Sequence, residues 1–160
     1  MEIRLARPDE LPEIGRITGA AYVADGFMTE TDSYLTVLAD AARRSTDAEL
    51  WVAVEDGVVL GSVTYAPVGS AYREIGHDDE GEFRMLAVSP DARGRGVGQA
   101  LVQKCLERSR ELGYRGVRIS SMDRMTSAHR VYERLGFSRA PEDDWRPQPH
   151  VLLLAFVLSL

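Results

Sequence analysis

Ile3 and Leu5 alternate with Arg4 and Ala6, so the chain opens on a short strand. Pro8-Asp9-Glu10 then starts a helix, with proline and acids where a helix N-terminus favours them. Leu11, Ile14, Ile17 and Ala20 or Ala21 recur at helical spacing along it. "DGFMTETDS" breaks the pattern, and Tyr34 to Arg44 is predicted as a second helix with Leu35, Leu38 and Ala42 on one side. "LWVAVEDGVVLGSVTYAP" holds two β-rich runs joined by Asp56-Gly57, a strong hairpin signal. The polar, acidic "VGSAYREIGHDDEG" leads to the strand "EFRMLAV", ended by Ser89-Pro90. Beyond a glycine-rich turn lies a long helix. Its stripe is Val97, Leu101, Val102, Cys105, Leu106 and Leu112, and Gly113 closes it. "GVRISS" is a strand, Ser127 to Leu135 a helix ended by Gly136, "FSRA" a short strand and "PEDDWRPQPH" a loop. The terminal "VLLLAFVLSL" is unbroken and β-rich, which predicts a buried central strand. The order βααβββαβαββ, without repeat or linker, predicts one mixed α/β domain over residues 1–160.

Composition narrows the function classes. Hydrophobic residues make up 44% and charged ones 28%, ordinary for a folded domain. A net charge of −6 argues against binding nucleic acid through a basic surface. One cysteine forms no internal disulfide, and with three scattered histidines it offers no metal spacing. "MEIRLARPDE" lacks the apolar run of a signal peptide, and the terminal apolar run is half of what a membrane-spanning helix needs. A cytoplasmic enzyme or binding domain, bound to neither membrane nor nucleic acid, is the expectation.

Gly94-Arg95-Gly96-Val97-Gly98 follows a strand and precedes a helix, where backbone N–H groups and the helix dipole favour an anion. Glycines let those N–H groups converge without a Cβ in the way, and flanking arginines can add charge. The loop fails as a P-loop, because Gln99-Ala100 stands where Lys-Ser/Thr would be needed. It also fails as a dinucleotide fingerprint, whose spacing is G-x-G-x-x-G.

Arg93-Gly94-Arg95-Gly96-Val97-Gly98 instead fits Arg/Gln-x-x-Gly-x-Gly/Ala, and here the chain resembles the GNAT superfamily of N-acetyltransferases. "EFRMLAVSPDARGRGVGQALVQKCLERSRELG" is similar to that family's acetyl-CoA-binding strand, loop and helix, and "SAHRVYERLGF" to its A-x-x-x-Y-x-x-x-G-F signature. The resemblance implies a mostly antiparallel central sheet flanked by helices, with one splayed parallel strand pair. It implies acetyl-CoA as cosubstrate and no metal. Backbone groups of Arg93, Gly94, Arg95, Gly96, Val97, Gly98 and Gln99 would hold the pyrophosphate. Leu86, Ala87 and Val88 would pair with the pantetheine arm, Ala128 would allow close approach, and a backbone N–H near Val88 would take the oxyanion. Met125 stands where the family often has asparagine.

By the same resemblance the Tyr132 hydroxyl lies near the thioester sulfur and protonates the leaving thiolate; the alternative is a tyrosine packed beside Leu135. A base must take a proton from the amine. Glu82, which begins the acetyl-CoA strand, is the first candidate, with His77 or water as alternatives. Phe27, Tyr34, Tyr72 and Glu82 are the expected acceptor-side residues, with Tyr22 and Trp145 nearby. The implied reaction is direct attack of a small-molecule or peptide amine on acetyl-CoA in a ternary complex. Other readings are a catalytically weak acyl-CoA-binding regulatory module, or transfer from another acyl-CoA. Self-association as a homodimer, through the terminal strands and "DDWRPQPH", is also expected.

Overall fold

In the computed structural model, which describes residues 1–160, β1 (Glu2–Leu5) passes into a single 3-10 turn at Pro8–Glu10. Glu10 ties this entry down. Its carboxylate accepts from the Arg7 amide at 2.8 Å and from both terminal nitrogens of Arg4 at 2.7 and 2.8 Å. Helix α1 (Leu11–Ala24) then buries Ile14, Ile17, Ala21 and Tyr22.

The helix expected over 34–44 is two helices, α2 (Tyr34–Ala39) and α3 (Ala41–Asp47). Asp40 (φ −83°, ψ 67°) breaks them, and its side chain accepts from the Arg43 amide at 3.1 Å as the cap of α3. Arg44 supplies the tertiary reason. It is fully buried, and its Nη1 donates to the carbonyls of Val37 (3.1 Å) and Leu38 (2.7 Å) at the end of α2. Those carbonyls have room for the guanidinium because the helix stops there and leaves them without an i+4 amide partner.

β2 (Glu49–Glu55) and β3 (Val58–Tyr65) form the expected hairpin. Asp56 and Gly57 both take positive φ (51° and 77°), as a turn matched to strand twist requires. The strand foreseen from Glu82 begins at Phe83, and a separate two-residue strand precedes it. Glu80–Gly81 (β4) pairs parallel with β6 (Gly116–Met122), whereas Phe83–Val88 (β5) pairs antiparallel with β3. Met85 has φ 56° at a bulge, so that Met85 and Leu86 together oppose Val63.

Helices α4 (Val97–Glu111) and α5 (Thr126–Arg134) follow their expected positions. β7 (Ser138–Arg139), β8 (Trp145–Gln148) and β9 (Val151–Ser159) complete the chain. Part of "PEDDWRPQPH", read as a loop, is thus a strand paired with β9. β9 is central, between β6 and β7, although only Ala155 and Phe156 along it are fully buried.

The ladders make two sheets, β1-β2-β3-β5 (antiparallel) and β4-β6-β9-β7 with β8 on β9. Only β4–β6 is parallel. β5 ends the first sheet and diverges from β6, leaving a gap with unpaired strand edges. This is the mixed sheet with a splayed parallel pair that the resemblance implied. No helix is long and apolar enough to cross a membrane.

Candidate active site

Two clefts open on the splay. The first, of about 650 Å³, lies between the outer edge of β5, the glycine loop and one face of α5. The second, of about 450 Å³, lies between α2, Arg84 of β5, the end of β6 and the β8–β9 turn. Tyr22, Phe27, Leu86, Arg124, Met125 and Ala128 line both, so the clefts meet there.

In the first cleft the backbone is the donor. None of the N–H groups of residues 94 to 99 finds an acceptor within the protein, whereas Ala100 already donates to Gly96. Gly94 (φ 74°) and Gly96 (φ 75°) occupy left-handed backbone that residues with a Cβ rarely adopt, and so curl the loop at the start of α4. The loop therefore carries six consecutive unbonded amides at the start of a helix, and all of its residues but Arg95 line the cleft, a site for a large anion.

Leu86, Ala87, Val88, Gly94, Gly96, Val97, Gly98, Gln99 and Ala128 line this cleft, as does Arg93. Two expectations for the arginines need correction. Arg95 points away from it and pairs with Glu55. Arg93 is held across the loop, donating to the Val88 carbonyl at 3.2 Å and to Asp25 at 2.9 Å. Unpaired charge comes instead from α5, where Arg130 and Arg134 line the cleft and form no ion pair. Their spacing of four on a predicted helix was the available signal. Met125 lines both clefts and accepts from Ser121 (O to S 3.6 Å), while Thr126 and Ser127 line the first.

Tyr132 lies on the wall of the second cleft and is 4% exposed. Its ring is fixed by Phe83, Phe137 and Phe156, with centroids 5.6–5.8 Å away. Burial pushes its pKa up, with Ser121 opposing, so the hydroxyl keeps its proton. Ser121 Oγ is also 3.1 Å from His129 Nε2. Phe27 and Tyr34 line this cleft as expected.

Tyr72 and Glu82 line neither cleft. Tyr72 packs in the core with Tyr22, Leu38, Ala66 and Met85. Glu82 is fully buried, and its Oε1 accepts from the amides of Gly76 (2.8 Å), Glu74 (3.0 Å) and Ile75 (3.1 Å). Burial pushes its pKa up, against those N–H groups. It anchors the 74–76 loop, which is the physical reason it faces no amine. His77 also lines neither cleft. Glu74, missed in the sequence, does line the second cleft. Its Oε1 is 3.0 Å from Arg84 Nε, and burial pushes its pKa up while Arg84 pulls it down. A residue in an acidic, polar connection carried no signal that it would fold back over the strand.

Comparison with known proteins decides the family. The signature of the acetyltransferase (GNAT) family matches residues 16–137, most of the chain. The chain belongs to the GNAT acetyltransferase family. Among curated relatives, the mycothiol acetyltransferase of Cellulomonas flavigena is 32% identical over 120 residues, 66% of this chain and 33% of that protein. The match thus spans about a third of that relative's length. A GCN5-related N-acetyltransferase from Kribbella flavida is 27% identical, with TM-score 0.72 over 99% of this chain and 97% of that one. The protein yncA of Salmonella typhimurium, whose structure includes its cofactor acetyl-CoA, shares the GNAT fold at TM-score 0.70 and 22% identity, covering 100% and 94% of the two chains.

Proposed function

We propose that this GNAT protein transfers the acetyl group of acetyl-CoA to a primary amine by direct attack, with both substrates bound. The observation that carries the reading is the run of six unbonded amides, 94 to 99, at a cleft that meets a second cleft walled by Tyr132. That donor set suits a pyrophosphate, and Arg130 and Arg134 add charge beside it. The free edge of β5 at Leu86, Ala87 and Val88 presents backbone groups to a peptide-like arm, as an added strand would pair. Acetyl-CoA supplies the activated acyl carbon and a thiolate leaving group.

The remaining work falls to the chain. A backbone N–H of β5 near its bulge or near Val88 receives the oxyanion as charge develops. Glu74, whose raised pKa makes its carboxylate a better base, accepts a proton from the ammonium directly or through water. Tyr132 donates its proton to the departing sulfur. Of the two protons the ammonium loses, one ends on sulfur by way of Tyr132 and one leaves through Glu74 to solvent. Carbon exchanges sulfur for nitrogen, giving an amide and free coenzyme A.

The test couples binding to turnover. Acetyl-CoA is expected to raise the melting temperature, and an amine panel to release free thiol from it. A folded protein with no shift at millimolar acetyl-CoA refutes the reading. A shift without thiol release from any amine supports a regulatory acyl-CoA-binding module instead.

A further inference from the structure

The second cleft carries an arginine, Arg84, to which acetyl transfer itself gives no role. Its rim charges, Asp32, Asp123, Arg124 and His150, are exposed and screened by water. The inner wall differs. Arg84 and Glu74 face each other there with side chains only 20% exposed. Arg84 Nη1 donates to the Tyr72 carbonyl and Nη2 to the Tyr34 hydroxyl, both at 3.2 Å. Each of these nitrogens carries a second N–H with no protein acceptor. Behind the wall stands Arg44, fully buried, with Nε and Nη2 unpartnered and no carboxylate paired to it. Its charge is felt by Tyr22 and Tyr34, which line the cleft.

The inner wall thus holds the Arg84 guanidinium beside the Glu74 carboxylate, with the Arg44 guanidinium buried behind it. Half-burying Arg84 with two N–H groups unanswered costs free energy that an acceptor anion would offset, and the buried Arg44 adds positive charge behind it. A polyamine or a lysine side chain would bring further cations against it. A hydrocarbon amine would strip water from the two free N–H groups without replacing it. A molecule carrying both charges satisfies the wall, its ammonium toward Glu74 and its acid group on Arg84.

We propose that the acceptor is a small primary amine bearing a carboxylate, such as an amino acid, and that Arg84 binds that carboxylate. This rests on the acetyl-transfer reading above. Arg84 lines the second cleft and Leu86 lines both, so an acid held at Arg84 leaves the amine between Glu74 and the junction of the clefts.

The experiment follows thiol release from acetyl-CoA with matched acceptors: amino acids, their carboxamides and the corresponding decarboxylated amines. Acids are expected to exceed their neutral partners at least 10-fold in kcat/KM. Arg84→Met also removes the partner of Glu74 and so shifts turnover of every amine, but its loss on the acids is expected to exceed that on the neutral amines at least 10-fold, with Arg84→Lys retaining part of the preference. The acetyl-CoA melting shift, measured in each variant, reports folding and the coenzyme site. If Arg84→Met does not fold, the acid-to-carboxamide ratios of the parent and Arg84→Lys decide. Equal use of acids and carboxamides overturns the proposal, as does an Arg84→Met loss of equal size on both. Silence from every amine, with the acetyl-CoA shift intact, favours an acyl-CoA-binding module and overturns the transfer reading and this proposal together, whereas turnover of neutral amines equal to that of acids overturns the acceptor class alone. Loss of the shift in the parent protein removes the acetyl-transfer reading and this proposal with it.

Discussion

Replacing Gly98 by alanine separates the anion cradle from the fold, because the two effects have opposite sign. Gly98 is the second residue of α4, and a Cβ built there meets only Val88 Cγ2, at an ordinary 3.6 Å. Alanine in a helix, against a less flexible unfolded chain, should stabilise by about 0.5–1 kcal/mol. For a chain of this size that corresponds to a rise in Tm of about 1–4 °C. The same methyl group enters the cleft that Gly98 lines, where phosphate oxygens must approach the amides. Loss of one hydrogen bond to a charged acceptor costs about 1.5–3 kcal/mol. The acetyl-CoA Kd should therefore weaken roughly 10- to 150-fold. Calorimetric titration with acetyl-CoA, paired with thermal melting, measures both effects. A raised Tm with an unchanged Kd would refute the cradle and leave a glycine that merely starts a helix.

Tyr132→Phe should fold and bind acetyl-CoA with little change, while kcat falls roughly 100-fold or more; intact kcat with weakened coenzyme binding would make the hydroxyl a binding group. Glu82→Gln turns an NH2 against at least one of the amide donors of residues 74–76 and should lower stability by about 1–3 kcal/mol in denaturant titration. Its pH–rate profile should keep the parent's shape, and a loss of rate at neutral pH that recovers at high pH would restore Glu82 as the base. Glu10 is held at about 2, first by the Arg4 hydrogen bonds, so its contribution is present above the unfolded value near 4.5 and is lost as pH falls toward 2. The Tm gap between parent and Glu10→Gln should narrow over that window, and a gap constant from pH 7 to 2 would contradict the assignment.

What was legible in the sequence is what short-range chemistry controls. The Asp56-Gly57 turn requires positive φ at two successive residues, and that dipeptide announces it. The strand, glycine loop and helix that frame the first cleft are contiguous, so their order and spacing survive in one dimension. The break at Asp40 was hidden, because its cause is Arg44 reaching back to the carbonyls of Val37 and Leu38. The bulge at Met85 was hidden too, since methionine gives no sign that it will adopt φ 56°. Glu82 and Glu74 exchanged places for a tertiary reason. The 74–76 loop folds back onto the strand, pins its amides on the Glu82 carboxylate and delivers Glu74 to the cleft beside Arg84. Sequence position put Glu82 at the start of the right strand, but burial decided which carboxylate faces the cleft.

The most direct measurement is a residue-resolved amide titration of 15N-labelled protein with acetyl-CoA, reading proton shifts and solvent exchange at each N–H. Unbonded N–H groups that acquire phosphate oxygens move downfield and become protected from exchange. The account predicts the largest downfield shifts and new protection within residues 94 to 99, with smaller changes along the β5 edge from Leu86 to Val88. Saturable binding whose shifts leave residues 94 to 99 unmoved would contradict it.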